Sequence, residues 1–288
     1  MTKITVLTAR RIRTMNPSMP LATAVAIRDG MILEVGTLET LRPWLDAYPH
    51  QIDDTFAEHV LMPGFIDPHL HPSLAAILLP CHFITAMEWK LPDRVAAPVR
   101  GHNAYLDRLK DIESGISDPG EPVVTWGYHK IWHGHVDRQT LNCVSQSRPI
   151  FVWQRSFHEI IVNDAAIDWM KLNRGELARH PQVDVETGRF FETGLSIAMN
   201  GMKDYLYAPD RFRQGLQQVK QAVHFGGHTT IADMAVPLVD IDVEWPPLLD
   251  IFERDDTPFR VQMIPRAIER GGALGRESEQ LERVRALS

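Results

Sequence analysis

Val60-Leu61-Met62-Pro63-Gly64-Phe65-Ile66-Asp67-Pro68-His69-Leu70-His71 is the stretch on which the fold turns. Val60-Leu61-Met62 and Phe65-Ile66 are the apolar run of a buried strand, with Pro63-Gly64 as a kink where it begins. His69 and His71 fall at its C-terminal end. On an extended backbone, side chains at i and i+2 point to one side, so these two imidazoles can close on a single divalent ion. In a barrel of parallel strands that end is where the chemistry sits. A bare His-x-His is a short motif with many accidental matches, so its weight depends on what surrounds it.

Working outward, residues 4–15 and 23–36 are rich in Val, Ile and Thr, and Asp29-Gly30 between apolar runs signals a two-residue hairpin. This small β unit needs further strands before its apolar face is covered. A short helix is expected over 38–47. More than 150 residues separate His71 from Gly226, too many for an ordinary barrel connection, so they must carry structure of their own. Within them a helix is expected over 95–112, strands over 122–127 and 149–153, and a helix over 163–172 capped by Asn163 or Asp164. Asp210 is the expected cap of a helix over 211–225. That helix leads through Gly226-Gly227 into a strand over 229–234, followed by another over 259–264. Residues 277–287 read as a polar helix.

At 288 residues with 44% hydrophobic side chains the chain can bury a substantial core. The net charge of -7, without a long basic run, argues against a nucleic-acid partner. Cys81 and Cys143 cannot make a disulfide framework and are expected to be small buried hydrophobes. Arg10, Arg11 and Arg13 interrupt the region where a secretory signal would need its apolar core. The most apolar window, 74–87, is broken by Pro80 and His82 and falls short of the roughly 18 residues of a bilayer span. The expectation is a cytoplasmic protein with neither membrane nor nucleic acid as partner.

The string PGFIDPHLH resembles the first-strand signature of the amidohydrolase superfamily, and the wider chain is similar to its amidohydrolase-3 group, related to N-substituted formamide deformylases. Four other stretches carry the resemblance: AVAIRDGMILEVG at 24–36, Trp126-Gly127-Tyr128, Arg155-Ser156-Phe157-His158 with Val162-Asn163, and GGHTTIADM at 226–234. The resemblance implies an α/β fold, a partial TIM-like (β/α)8 metal-dependent hydrolase barrel. Residues 1–58 would form part of a β-sandwich and 59–288 the first part of the barrel, with an insertion at about 72–220 after barrel strand 1.

It also implies that His69 and His71 bind a divalent metal, zinc first among the ions that histidine suits. A bare pair does not complete such a site. The lysine or acidic bridging ligand, two later histidines and a catalytic Asp would lie beyond Ser288, so the chain is expected to be an N-terminal half, inactive alone. Glu192 is the candidate additional ligand within the insertion. Asp67 is the candidate partner orienting a ligand. His158, Trp126, Tyr128 and His129 are candidates for substrate contact, with Trp132 and Trp153 as further aromatic candidates. In Tyr128-His129-Lys130-Ile131-Trp132-His133-Gly134-His135, a helix would set His129 and His133 on one face, whereas an extended run would pair His133 with His135. His228 stands where the family usually has an apolar residue, and a satisfied histidine is expected there.

The activity implied is hydrolysis of a non-peptide C–N bond in a small amide, formamide or cyclic amide, with metal-activated water as nucleophile. Deamination of a heterocycle on the same fold is the first alternative, and an inert fragment the second. A homo-oligomer is expected for the complete form.

Overall fold

The computed structural model describes residues 3–265, so the expected helix over 277–287 lies outside the described residues. The chain divides into two compact units, Met1–Phe65 and Ile66–Ser288. The first contains β1 (Ile4–Arg13), β2 (Leu21–Arg28), β3 (Met31–Gly36), α1 (Arg42–Ala47), β4 (His50–Asp53) and β5 (Val60–Leu61). These strands form one sheet in the order β3-β2-β1-β4, with β5 also pairing β1. β1, β2 and β3 run antiparallel in turn, while β4 and β5 lie parallel to β1. The hairpin between β2 and β3 turns on Asp29 and Gly30, at φ 53° and 74°, the left-handed pair that a two-residue turn requires. Ile4, Val6, Ala24 and Ala26 pack with Leu41 and the Trp44 and Leu45 side chains of α1, whereas Ala9, Ile12, Ala22 and Val25 form a separate cluster. Val60 and Leu61, expected in the barrel strand, instead pair with β1 in this sheet, because Pro63-Gly64 separates them from the next strand.

The second unit begins with β6 (Phe65–Leu70), α2 (Pro72–Leu78), β7 (His82–Phe83), β8 (Trp89–Lys90), β9 (Val95–Ala96), α3 (His102–Gly115), β10 (Val123–Tyr128), α4 (Lys130–His133) and α5 (Arg138–Val144). It continues through β11 (Ile150–Gln154), β12 (Glu159–Val162), α6 (Asp164–Trp169), α7 (Arg174–Leu177), β13 (Val183–Asp184), β14 (Arg189–Phe191), α8 (Thr193–Gly201) and α9 (Lys203–Leu206). Last come α10 (Pro209–Phe225), β15 (His228–Val236), α11 (Ile241–Phe252) and β16 (Arg260–Pro265). A six-stranded sheet runs in the order β13-β14-β12-β11-β10-β7, and a three-stranded sheet in the order β16-β15-β6. β15 and β16 are parallel. The architecture is mixed α/β.

The central strands of the six-stranded sheet are apolar on both faces because both are covered. Val124, Trp126, Phe151, Trp153, Ile160 and Val162 join the large core that includes α2, α6, α8 and α10, while Val123, Ile150, Val152 and Ile161 join α3 and α5 on the other side. Alternation breaks at Gly127, φ 109°, where the register with β11 slips and Tyr128 turns into the second core. A Cβ at Gly127 would stand 2.3 Å from the Thr85 side chain and 2.9 Å from the Ile84 carbonyl, so only glycine fits.

Several local expectations shift. Residues 95–112 do not form one helix: Pro98 and Gly101, at φ 91°, interrupt it, and α3 starts at His102. The cap position of α10 is Ala208, with Pro209 at N1 and Asp210 inside the first turn, where its carboxylate faces the helix dipole. Cys81 is buried as expected, but Cys143 is exposed on α5. Asn163 does cap α6, and its fully buried side chain uses every polar atom. Its Oδ1 accepts from Ile150 N and Ala166 N, and its Nδ2 donates to the Ser145 and Arg148 carbonyls at 2.9 Å each.

α2, which follows His71 directly, is clamped against α10 at Gly215. A Cβ there would lie 1.9 Å from the Ala76 carbonyl oxygen. Gly215→Ala is expected to force the helices apart and cost about 1–3 kcal/mol or more of stability, read as a lowered urea midpoint. An unchanged midpoint would mean that this contact is not tight in solution.

Candidate metal centre

β6 lies at the edge of its three-stranded sheet, beside β15. As an edge strand it does not have the burial its apolar run suggested: Phe65 is 51% and Ile66 70% exposed. Its end is locally fixed. Asp67 Oδ1 accepts the His69 backbone N–H at 3.0 Å, so Asp67 holds the chain that carries the first imidazole. His71 occupies the cap position of α2, its carbonyl accepts from Ala75 N at 3.0 Å, and Pro72 at N1 restricts its backbone to extended conformations.

Leu70 intervenes between the two histidines, whose rings converge. His69 Nε2 and His71 Nε2 stand 3.3 Å apart, with ring centroids at 5.0 Å and planes at 82°. His69 is exposed and His71 half-buried. Among the described residues no group of three or more His, Cys, Asp or Glu side chains is placed to hold one ion.

The remaining candidates have local partners of their own. Glu192, the candidate additional ligand, pairs with His158: its Oε1 is 3.0 Å from His158 Nδ1. His133 is fully buried and uses both ring nitrogens, accepting from His129 N at 3.0 Å through Nδ1 and lying 3.1 Å from the Val99 carbonyl through Nε2. Burial pushes its pKa down, against the hydrogen bond to Val99. It is a structural histidine: the run from His129 to His133 is helical, with the His129 N–H bonded to the His133 ring, while His135 Nε2 lies 3.3 Å from Asp137 Oδ2. His129 caps α4, its Nδ1 accepting from Ile131 N at 3.3 Å, and packs on Trp132. Tyr128 is a core residue whose hydroxyl donates to the Gly134 carbonyl at 2.7 Å and accepts from Val136 N. Trp153 is fully buried. Trp126 is 5% exposed and sits in an aromatic cluster with Phe83, Trp89 and Phe157. His228 opens β15 half-buried.

Sequence reading passed over one titratable group beside this strand. Asp233 in β15 is 1% exposed; its Oδ1 accepts from Ala235 N at 3.1 Å and its Oδ2 has no hydrogen-bond partner among the described residues. Burial, with a contribution from the nearby Glu244 carboxylate, pushes its pKa up to about 7, against the bond from Ala235. Glu244, fully buried in α11, accepts the backbone N–H groups of Leu238, Val239 and Asp240. An acidic residue in an apolar strand was the only signal, and it does not distinguish a buried carboxyl from an exposed one.

The chain belongs to the amidohydrolase family, whose Amidohydro_3 model matches residues 57–287. Among curated proteins it is similar to Protein LONG AFTER FAR-RED 3 of Arabidopsis thaliana, at 20% identity over 88% of this chain and 42% of that protein. It is also similar to Exoenzymes regulatory protein AepA of Pectobacterium carotovorum subsp. carotovorum, at 22% identity over 78% of this chain and 48% of that protein. Among solved structures, an uncharacterized metal-dependent hydrolase from Pyrococcus horikoshii OT3 shares the fold with TM-score 0.66 at 16% identity, over 99% of this chain and 51% of its own. One from Pyrococcus furiosus gives 0.62 at 16% identity, over 99% and 52%. The chain thus spans about half the length of these relatives. No helix among the described residues is long and apolar enough to cross a membrane.

Proposed function

We propose that this chain carries the first two metal ligands of a metal-dependent hydrolase acting on a non-peptide C–N bond in a small amide-like molecule. The carrying observation is the 3.3 Å separation of His69 Nε2 and His71 Nε2. Two nitrogens bound to one zinc ion at ~2.0–2.1 Å and near the tetrahedral angle stand about 3.3–3.4 Å apart, so the pair fits one ion. A divalent ion there supplies Lewis acidity and activates water. The protein's part is positioning: Asp67 sets the His69 backbone, Pro72 and α2 set that of His71, and the α2–α10 contact holds the helix behind them. Family membership supports hydrolysis, and the likeness to the two Pyrococcus metal-dependent hydrolases supports the metal.

With two ligands and no third among the described residues, we place the rest of the ion's coordination, and the acid–base carboxylate, outside residues 3–265. The relatives' roughly double length supports this division. Zinc titrated calorimetrically into the chain is expected to bind one to one, and the double change His69→Ala, His71→Ala to abolish that binding. Equal zinc uptake by the double variant would overturn the site.

A further inference from the structure

We infer that residues 86–99 form a flap, independent of the metal ligands, that covers the aromatic surface of Phe83 and Trp126 and is latched shut by the guanidinium of Arg94. The flap has little structure of its own. β8 and β9 pair antiparallel, Trp89 opposite Ala96 and Lys90 opposite Val95, in a sheet of two that joins no other among the described residues. An isolated hairpin of this size is marginal in water, so its hold must come from outside it. No residue from Met87 to Val99 is buried, and none from Met87 to Pro98 belongs to either large core. The two ends, by contrast, are tied together. Val99 N donates to the Thr85 carbonyl at 2.7 Å, and Arg100 Nε to the Ala86 carbonyl at 2.8 Å. Close ends define an Ω-type loop, a compact surface form that frequently serves function.

One side chain fastens the far part of the flap. Arg94 Nη2 donates to the carbonyls of Leu79 and Cys81, at 2.7 Å each, just past the end of α2. Carbonyls at a helix end are left over from the helical ladder, and a cation is favoured beside them. The same guanidinium lies over the Phe83 ring, 5.6 Å from its centroid, while Nη1 meets the Asp93 carboxylate within the flap.

Trp89 is the part that covers. Its ring meets Trp126 edge-on at 5.1 Å and Phe83 at 6.0 Å, and Phe83 stands 4.9 Å from Trp126. Trp89 is 37% exposed, whereas Trp126 beneath it is 5% exposed. β8 and β9 share no ladder with β7 or β10, so the cover rests on ring contacts and the latch. Opening therefore breaks two hydrogen bonds from a cation, one cation–π contact and the packing of one indole, and leaves both cores closed. A segment held this lightly over a well-packed sheet belongs to the low-stability end of the fold, from which lids are drawn. What it controls is the access of small molecules to the Phe83–Trp126 surface.

The test is limited digestion of the full chain by trypsin, whose cut after Lys90 needs the hairpin undone and so follows the open population when closing is fast. Arg94→Gln is expected to raise that cleavage about ten-fold, the scale of one hydrogen bond from a charged group. Cleavage after Lys171, in a separate exposed turn, should stay as it was. Hydroxyl-radical footprinting read by mass spectrometry should show oxidation of Trp126 rising in the same variant, and that of Trp153, its fully buried neighbour on β11, unchanged. Arg94→Lys keeps the charge without the planar fork, should fall between, and serves if the glutamine variant does not fold. Lys90 cleavage indifferent to both substitutions overturns the latch, and faster cleavage with Trp126 still protected overturns the gate. A rise shared by Lys171 and Trp153 marks general loosening and overturns both. The His69→Ala, His71→Ala chain should give the same results as the unaltered one, so failure of the metal reading is scored separately.

Discussion

Replacing Asp233 by asparagine is expected to remove a steep loss of stability between about pH 4 and pH 7. In the folded chain this carboxyl titrates near 7, raised by burial and by Glu244, whereas in the unfolded chain it returns to the ordinary 3.8. Between those values the unfolded state has released the proton and the folded state has kept it. The unfolded state binds fewer protons, so stability falls as pH rises, by about 1.4 kcal/mol per pH unit, and levels off above the folded value. Over the whole window this amounts to about 4 kcal/mol, a large fraction of what holds a domain together. The asparagine side chain cannot ionise, so urea midpoints of the Asp233→Asn variant should show no such slope. The variant should equal the unaltered chain near pH 4 and exceed it at pH 8. A difference between the two that stays constant with pH would show that Asp233 is already ionised in the fold.

The second large effect is expected at Arg148, 8% exposed. Its guanidinium donates to the carbonyls of Ile116, Asp118 and Glu121 at 3.0, 2.5 and 2.8 Å, and to Glu113 Oε1 at 3.2 Å. One side chain thus closes the end of α3 and the turn that leads into β10. Arg148→Met keeps much of the volume but takes the guanidinium donor from the Ile116 and Glu121 carbonyls and the Glu113 carboxylate, and leaves the Asp118 carbonyl with the Glu121 N–H alone. The expected loss is about 3–5 kcal/mol, the cost of breaking a buried charged pair from one side. Arg148→Lys should recover only part of it, because an ammonium cannot reproduce the planar spread of five donors. Chemical denaturation at neutral pH measures both, and a loss below about 1 kcal/mol for the methionine variant, the scale of an exposed ion pair, would contradict the network.

Much of the element order was legible because it rests on local chemistry. Asp29-Gly30 reads as a turn from its backbone preferences alone, and Asn163 as a cap from its side-chain oxygen. The strands from Val123 and Ile150 announce themselves as apolar runs, and the one expected over 229–234 through its family resemblance. Where local signals compete, the reading slipped. Residues 95–101 look helical by composition, but Pro98 removes a donor and Gly101 turns left-handed, so α3 begins at His102. Between the helical pairing of His129 with His133 and the extended pairing of His133 with His135, the helix forms, and packing sets the roles: His133 enters the core and His129 caps α4.

His69 and His71 are the part of the candidate centre that sequence alone determined, because side chains two apart on a strand share a side whatever the rest of the fold does. Membership of the family was likewise written in contiguous motifs. Only the tertiary structure decided the exposure of Phe65 and Ile66, the burial that raises the pKa of Asp233, and the meeting of His158 with Glu192. Each depends on which strand lies beside which. An edge position, a low-dielectric surrounding and a cross-strand register arise between segments distant in the chain, and no local propensity carries that information.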